Sequence, residues 1–578
     1  MAIGEPKRLA ITIAGAVSLG SYEAGALYEL LDAMRQHNTQ VAATGEGQPI
    51  YVDVLTGASA GGMTAAILAQ KLLFDGPAFV DAGGNSAPWA NPLYDTWVKE
   101  ITLARLLETV DKPIAEGGDP ALLSLLSSQR SEELARATLV DGAVNGQIPD
   151  QGPHGAVSPD GAMQLGLALT NLTGINYGLP MLGGGAFEYT RFSDELVRGL
   201  TRSSRAAGLW QEIADGAVAS GAFPVAFRTK DLAREYADYA AGEPLGWTGG
   251  TRTFNYTDGG ILQNQPLGMA KQLVDGLDGH LNQERRFYLF VSPNPMADQV
   301  DATLNEATTN MIQVLGRLLA VYMGQAMFQD WVEANAVNAQ VDKLDEQAAA
   351  LAGRVASGAV DAATLGAVSG ELLGALYPAA EVGCAVAREL DAARLTAQYA
   401  AEVAQAGGAE AGEALVAAIQ VLEKSAELSE RDRMEIYGVV VDPGKLAGTG
   451  IAAFVGFFDE RYRHHDYEWG RLKVQELIGT LNAEANGLAC TLPGKPTGLG
   501  PILYTPVTVD IDHSLDGLRL NGIDKDDVHT LKEGLTERVN QILTHELTNP
   551  VERYPAQWGA DLALGMVLGW EFSRDVQG

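Results

Sequence analysis

Hydrophobic and polar positions along residues 9–295 alternate between two periods, one typical of buried strands and one typical of helices. Four apolar runs predict strands: LAITIAG (9–15), VDVLTG (52–57), MQLGLALTNL (163–172) and RRFYLFVS (285–292). Helical spacing predicts helices over residues 22–34, 63–72 and 267–277. Because strands and helices follow each other in turn, the sequence predicts an α/β layered fold.

A different composition, rich in Ala, Leu, Glu and Gln and poor in β-branched runs, fills residues 302–428. This composition favours helix, and we expect a helical insertion or a lid-like domain. Residues 446–481 predict two helices, residues 493–506 a loop rich in Gly and Pro, and the last 70 residues further helix. We therefore divide the chain into a core (1–300), a helical insertion (301–430) and a mainly helical C-terminal region that packs on the core (431–578).

Charge and cysteine content narrow the classes of function. The 578 residues carry 73 acidic and 40 basic side chains, a net charge of −33, and this balance argues against nucleic acid as a partner. Cys384 and Cys490 stand far apart, so neither a disulfide framework nor a zinc cluster is indicated. The first apolar run, after Lys7 and Arg8, fits a buried strand better than a signal peptide. With no run of 18 apolar residues, we expect a cytoplasmic protein that contacts membranes only peripherally.

The segment GASAG (57–61) lies between a predicted strand and a predicted helix, with Ser59 at the join. Gly57 and Gly61 have the G-x-S-x-G spacing, in which a Cβ would crowd a tight turn and the serine hydroxyl is pushed outward. This geometry is typical of a nucleophile. The same residues are also compatible with a helix N-cap in a glycine-rich turn, so catalysis requires a base and an oxyanion site from elsewhere in the chain.

Two loops supply candidates for these partners. The loop AGAVSLG (14–20) follows the first strand, and its small residues Gly15 and Ala16 would let backbone N–H groups turn toward an oxyanion. In the segment FNYTDGGILQNQP (254–266), Asp258 precedes two glycines, so its carboxylate stands in a tight loop with little steric competition. Asp258 is therefore the candidate base.

In their order and spacing these motifs resemble the patatin-like phospholipase family, in particular its long bacterial members. The matching elements are G-x4-G at Gly20 and Gly25, G-x-S-x-G at residues 57–61, D-G-G at residues 258–260, an A-S-x-A-x-P segment at Ala219, Ser220, Ala222 and Pro224, and the downstream Asn264 and Pro266. The resemblance covers residues 9–295. The family's oxyanion loop carries a basic residue that is absent here.

The resemblance implies a patatin-like three-layer α/β sandwich with a mainly parallel central sheet, and a Ser59–Asp258 dyad that acts without histidine. N–H groups of Gly15, Ala16 and Val17 would hold the oxyanion, provided that φ is negative at the residues that are not glycine. The resemblance also implies that five residues near the nucleophile and the base hold them in place: Gly57, Gly61, Gly259, Gly260 and Asn264. The implied reaction is hydrolysis of lipid carboxylic esters, of phospholipase A or lysophospholipase type, through an acyl-enzyme and without cofactor or metal. The implied partner is a lipid or a small ester.

Two other interpretations stay open. Ordinary α/β-hydrolases place a histidine after the acid, and three histidines lie late enough to complete such a triad: His513, His529 and His545. A non-catalytic protein of the same fold would instead bind a partner through the helical insertion. The apolar run IAAFVGFF (451–458) is expected to belong to the core rather than to a lipid-docking surface.

Overall fold

The computed structural model describes residues 3–107, 124–180, 186–224, 226–278, 286–293, 336, 338–377, 384–426, 434–449, 453–485 and 498–518. These residues belong to two compact units. The sheet unit contains the described residues of 3–273, 287–293 and 436–518, and the helical unit contains those of 274–286 and 336–435. Residues from the predicted C-terminal region thus lie in the same unit as the N-terminal core.

Within the described residues, eight strands form one mixed sheet: β1 (Lys7–Ile13), β2 (Ile50–Gly57), β3 (Met163–Pro180), β4 (Ala186–Leu200), β5 (Lys230–Glu235), β6 (Thr251–Asp258), β7 (Arg286–Ser292) and β8 (Ile436–Val440). Their order is β5-β6-β3-β2-β1-β7-β8, and β4 also pairs with β3. The pairs β1–β2, β2–β3 and β7–β8 are parallel, whereas β3 is antiparallel to β4 and β6, and β5 to β6. The predicted α/β fold with a mainly parallel central sheet is confirmed.

Helices connect and flank these strands. The longer ones are α1 (Gly20–Thr44), α2 (Ala60–Phe74), α3 (Ser128–Leu139), α4 (Ala207–Ser220), α5 (Leu267–Asp278), α6 (residues 338–356), α7 (Ala362–Leu376), α8 (Cys384–Gln398), α9 (Ala400–Ala406), α10 (Ala409–Ser425) and α11 (Glu460–Ala485). Short helical turns include Val17–Leu19, Pro92–Tyr94, Asp95–Glu100, Leu103–Leu107, Gly260–Gln263, Pro443–Lys445 and Val455–Phe457. The helices predicted near residues 22, 63 and 267 are all present.

The two helices that follow β1 and β2 are buried more deeply than their sequences indicate. Every residue of α2 except Lys71 is buried, because small and apolar side chains occupy all of its faces. Helix α1 continues past the predicted end at residue 34, since polar residues there bond inside the fold. Asn38 Nδ2 donates to Ile50 O, and the N–H of Ile50 donates to Asn38 Oδ1, both at 2.8 Å. This pair ties α1 to the start of β2.

Helices α1 and α11 pack backbone against backbone at two glycines. A Cβ at Gly25 would lie 1.9 Å from Tyr467 O, and a Cβ at Gly470 would lie 2.0 Å from Tyr22 O. Neither position leaves room for a side chain, because the atoms that would clash belong to the partner helix's main chain. The close crossing therefore depends on glycine in both helices.

We predict that Gly470→Ala destabilises the protein by about 1–3 kcal/mol or more, because the added methyl forces α1 and α11 apart. Gly479→Ala, on the same helix with no atom within 4 Å of the added Cβ, is the matched control. Because alanine favours helix over glycine, the control should be neutral or more stable by roughly 0.5–1 kcal/mol. Urea unfolding of both variants measures the difference, and equal stabilities would contradict the close crossing.

The prediction of two helices over residues 446–481 is wrong, because α11 is the one long helix there and begins only at Glu460. The described residues before Glu460 form only short turns. Close packing explains why no longer helix forms there. A Cβ at Gly456 would lie 2.5 Å from Ser18 Oγ, and a Cβ at Gly448 would lie 2.7 Å from Asp466 Oδ2. These contacts hold the chain in an irregular path that a helix could not follow.

The helical unit has a core of its own, formed by Leu344, Ala348, Leu395, Leu415 and Ile419. Described residues within 301–430 are mainly helical, as their composition predicts. The lid function of this segment stays a prediction. Of the predicted C-terminal helices, residues 519–578 lie outside the described residues, and the described part of the predicted loop, 498–506, has no regular secondary structure.

Candidate functional site

Ser59 stands at the corner between β2 and α2, as the sequence predicts. Its φ angle is 53° and its ψ angle is −125°. Such a conformation is strained for an L-residue, at a cost of about 1–3 kcal/mol. A Cβ at Gly57 would lie 2.2 Å from Gly61 O, and a Cβ at Gly61 would lie 2.3 Å from Ala14 O. Close backbone packing thus requires both glycines of the G-x-S-x-G segment.

The hydroxyl of Ser59 donates a hydrogen bond to the carboxylate of Asp258, the last residue of β6. The distance from Oγ to Oδ2 is 2.6 Å, and Oδ1 accepts the N–H of Gly260 at 2.7 Å. Asp258 is 2% exposed, and burial raises the pKa of its carboxyl to about 7. A carboxylate with a pKa near neutrality is a stronger base than an exposed aspartate. The pair is therefore arranged for transfer of the serine proton.

Ser220, the last residue of α4, links the nucleophile corner to the base loop. Its Oγ accepts the N–H of Ser59 at 2.9 Å and donates to Ala168 O at 2.8 Å. Its carbonyl accepts the N–H of Gly259 at 3.0 Å. In the sequence Ser220 stands out only as part of the A-S-x-A-x-P segment. The structure shows that this side chain helps to hold Ser59 and Asp258 in place.

The two glycines after Asp258 pack as closely against neighbouring atoms as Gly57 and Gly61 do. A Cβ at Gly259 would lie 2.0 Å from a carbonyl oxygen of β3, and a Cβ at Gly260 would lie 2.5 Å from Asn264 Oδ1. The backbone carbonyl of Asn264 accepts the N–H of Gly15 at 3.0 Å. Asn264 therefore connects the base loop to the loop after β1. All the site residues predicted from the sequence come together at this edge of the sheet.

The loop after β1 differs from the prediction in two ways. The N–H of Gly15 is bonded to Asn264 O, so Gly15 is removed from the set of oxyanion donors. Val17 has a φ of 52°, not a negative φ, and a β-branched residue in the left-handed region is strained. Val17 and Ser59, both with positive φ, line the same cavity. An outlier at such a position is typical of functional sites.

Three N–H groups remain for an oxyanion. Among the described residues, those of Ala16 and Val17 have no hydrogen-bond acceptor, and neither has that of Ala60. Ala60 was not singled out in the sequence, although it directly follows the nucleophile. Its N–H lies at the N-terminus of α2, where the helix dipole favours negative charge. We therefore assign Ala16, Val17 and Ala60 as the candidate oxyanion donors.

Ser59 lines a cavity of about 470 Å³ in the sheet unit. Most of the wall is apolar and includes Met63, Trp97, Ile101, Leu106, Phe223 and Phe457. Four charged residues also line it, and they form the ion pairs Arg105–Glu100 and Arg130–Glu133. Because each cation has its own carboxylate, these four residues add no net charge. The cavity is suited to an uncharged apolar chain.

The apolar run at residues 451–458 contributes to this cavity. Residues 451–452 lie outside the described residues, but Val455 and Phe457 are buried, as predicted for a core segment. The Phe454 ring lies 6.1 Å from Phe223 and 5.7 Å from Phe457, measured between ring centroids. Phe457 therefore forms part of the cavity wall, and the described residues of the run, 453–458, are buried or half-buried.

Histidine does not complete a triad in the described part of the chain. Asp258 accepts hydrogen bonds from Ser59 and Gly260, and no described histidine bonds to either dyad member. His513 is exposed and contacts Asp516 at 3.3 Å. His529 and His545 lie outside the described residues.

Neither a metal centre nor a membrane-spanning helix is present in the part of the chain that the structure describes. No three His, Cys, Asp or Glu side chains group there in a way that could hold a metal ion. The tandem histidines of α11 have separate partners, since His464 bonds to Tyr94 and His465 to Lys445 O. None of the described helices combines the length and the hydropathy that a bilayer crossing requires.

The chain is similar to an uncharacterized protein at low identity. No protein-family model matches the chain. Over 280 residues the chain is 27% identical to the uncharacterized protein y4iI of Sinorhizobium fredii. The match covers 40% of this chain and 37% of the relative's length, so the chain spans well under half of the relative it matches. The chain is thus similar to a protein whose activity is not characterized.

Proposed function

We propose that this protein is a serine acyl hydrolase that cleaves lipid carboxylic esters through a Ser59–Asp258 dyad. The observation that carries the proposal is the 2.6 Å hydrogen bond from Ser59 Oγ to a buried carboxylate, made at a strained corner. Paired with a base, a serine hydroxyl becomes a nucleophile. The motif resemblance supports the finer proposal of a patatin-like three-layer sandwich with a helical insertion.

The proposed reaction has two halves. Asp258 takes the proton of Ser59 while Oγ attacks the ester carbonyl carbon, and N–H groups of Ala16, Val17 and Ala60 stabilise the resulting oxyanion. The intermediate collapses to an acyl-enzyme, and the alcohol leaves with the proton from Asp258. Water then attacks the acyl carbon with Asp258 again as base. The carboxylic acid is released, and the proton returns to Ser59.

The cavity supports an apolar acyl group as the part of the substrate that is bound. Ser59 and the apolar residues line the same cavity, so an acyl chain bound there could present its carbonyl carbon to Oγ. A phospholipid, a lysophospholipid and a glyceride all present such a chain. Peripheral contact with a lipid surface is the route to substrate that we propose, since a net charge of −33 provides no attraction to anionic bilayers.

Labelling with a fluorophosphonate probe, which reacts with activated serines, tests the proposal directly. We expect the probe to modify Ser59 alone, as read by peptide mass spectrometry, and expect the protein to hydrolyse p-nitrophenyl butyrate. Ser59→Ala should abolish both signals. Ser369→Ala, which changes a buried serine of the helical unit, is the matched control and should leave both unchanged.

A folded wild-type protein that neither reacts with the probe nor cleaves any ester would refute the hydrolase proposal and favour a partner-binding protein. If the enzyme is active, a mass-spectrometric survey of products from a mixed lipid extract identifies the substrate. Release of fatty acid from one lipid class, with the matching lyso-lipid or alcohol, defines both the headgroup and the acyl position.

A further inference from the structure

Arg463 is a buried arginine of α11 that bonds to two backbone stretches far apart in the sequence. Its side chain is among the largest that are fully enclosed. Nε donates to Val98 O at 2.7 Å, while Nη1 donates to Gly456 O at 2.9 Å and to Phe457 O at 3.3 Å. One planar guanidinium therefore joins the two stretches in a fixed geometry.

Both stretches are walls of the cavity beside Ser59. Trp97 and Ile101, on either side of Val98, line it from one stretch, and Phe457 lines it from the other. The main-chain carbonyls that Arg463 holds are therefore adjacent to the side chains that an acyl group would touch. Separation of the two stretches would widen the cavity between Trp97 and Phe457.

Burial of the Arg463 charge costs free energy, a cost that a residue serving only to fill space would not carry. Among the described residues, no carboxylate lies within ion-pairing distance of it, and burial lowers its pKa to about 10. An apolar side chain at this position would not bury a charge. The carbonyl hydrogen bonds are what this arginine adds, and each acts on the position of a cavity wall.

The same wall is also bonded to the oxyanion loop. Ser18, next to the strained Val17, donates its hydroxyl to Ala453 O. Asp466, one turn of α11 after Arg463, accepts the N–H groups of Ala447 at 2.7 Å and Gly448 at 2.9 Å. Helix α11 thus holds the residues on both sides of Ala453. Ser18 and Asp466 therefore hold this side of the wall by bonds that do not involve Arg463.

We infer that Arg463 is a positioning residue that sets the width of the acyl cavity and thereby the acyl-chain length that the enzyme prefers. This inference rests on the proposed ester hydrolysis and adds to it a determinant of specificity outside the cavity wall. Arg463 touches no substrate atom in this scheme. It acts through the carbonyls of Val98, Gly456 and Phe457.

The test compares kcat/KM for p-nitrophenyl esters from acetate to dodecanoate in the wild type, Arg463→Lys and Arg463→Met. Lysine keeps the charge but lacks the planar fork, and methionine keeps only the stem. We expect the ratio of kcat/KM for the best long ester to that for acetate to fall about tenfold or more in Arg463→Met, because misplaced walls affect long chains most. The same ratio for Arg463→Lys should lie between the values of the wild type and of Arg463→Met. Acetate turnover itself should change by only a few-fold.

Arg471→Lys is the matched control, because Arg471 is equally buried on the same helix but bonds to Glu29 and Glu468, not to the cavity walls. It should change stability without changing the chain-length ratio. An unchanged ratio in active Arg463 variants, or the same change in Arg471→Lys, would overturn the inference. So would failure of both Arg463 variants to fold while Arg471→Lys folds, since the arginine would then be structural. A wild type inactive on every ester would instead overturn the proposed function itself.

Discussion

Substituting Ser59 by alanine, or Asp258 by asparagine, is expected to lower kcat for ester hydrolysis by at least about three powers of ten. Ser59→Ala removes the proposed nucleophile. Asp258→Asn removes the proposed base, whose Oδ2 lies 2.6 Å from Ser59 Oγ. Because the two groups act as one unit, the double variant should be scarcely slower than either single variant. Stopped assays with a chromogenic ester measure all three rates.

The control for this experiment is Asp345→Asn. Asp345 also accepts a hydrogen bond from a hydroxyl, that of Tyr399 at 2.8 Å, but it lies in the helical unit. Its substitution should leave kcat unchanged. Circular dichroism of each variant establishes that the fold is intact. Near-normal turnover in Asp258→Asn would exclude the dyad, and loss of activity in a folded His513→Gln would favour a triad instead.

The pairing of Ser59 with Asp258 could be predicted because the motifs around both residues are short. A Cβ at Gly57 would clash within the strand-to-helix turn and a Cβ at Gly260 within its own loop, whereas Gly61 and Gly259 are packed against the backbone of Ala14 and Ala168. Because only glycine fits at such positions, these steric requirements are visible in the sequence. In the sheet, Ser59 follows β2 and Asp258 ends β6, and β3 lies between these two strands.

Features that depend on distant parts of the chain were not predictable in the same way. The N–H of Gly15 is bonded by Asn264, and α1 is extended by a bond between Asn38 and β2. Strand β3 continues past the predicted end at residue 172 to Pro180, because its outer half pairs with β4. In each case the partner belongs to another element of the fold. Local periodicity carries no information about it.

Two buried aspartates show why geometry, and not ionisation alone, identifies the site. Burial raises the pKa of both Asp258 and Asp466 to about 7. Asp466 accepts hydrogen bonds from two backbone N–H groups, so it holds a loop. Asp258 accepts one from the hydroxyl of Ser59, which lines a cavity. Only the second arrangement presents a transferable proton next to space for a substrate.

The pKa of Asp258 predicts a strong pH dependence of catalysis. The carboxylate is the active form, so kcat/KM should rise by roughly tenfold per pH unit below about 7 and level off above it. An ordinary aspartate, with a pKa of 3.8, would give a profile that is flat across this range. Initial rates on a neutral ester, measured in buffers of constant ionic strength, give the profile. A midpoint near pH 4 would contradict the raised pKa.

The same pKa has a consequence for stability that does not depend on turnover. Because the folded-state pKa lies above the ordinary value of 3.8, the native protein binds this proton more tightly than the unfolded chain does. The resulting stabilisation is fully present below about pH 4 and is lost as the pH rises through about 7. A shift from 3.8 to about 7 corresponds to about 4 kcal/mol. Asparagine cannot ionise, so Asp258→Asn should gain stability over the wild type across this window, as measured by urea unfolding. Parallel pH dependences in the two proteins would show that Asp258 ionises as an exposed carboxyl does, and would remove the physical basis for its role as a near-neutral base.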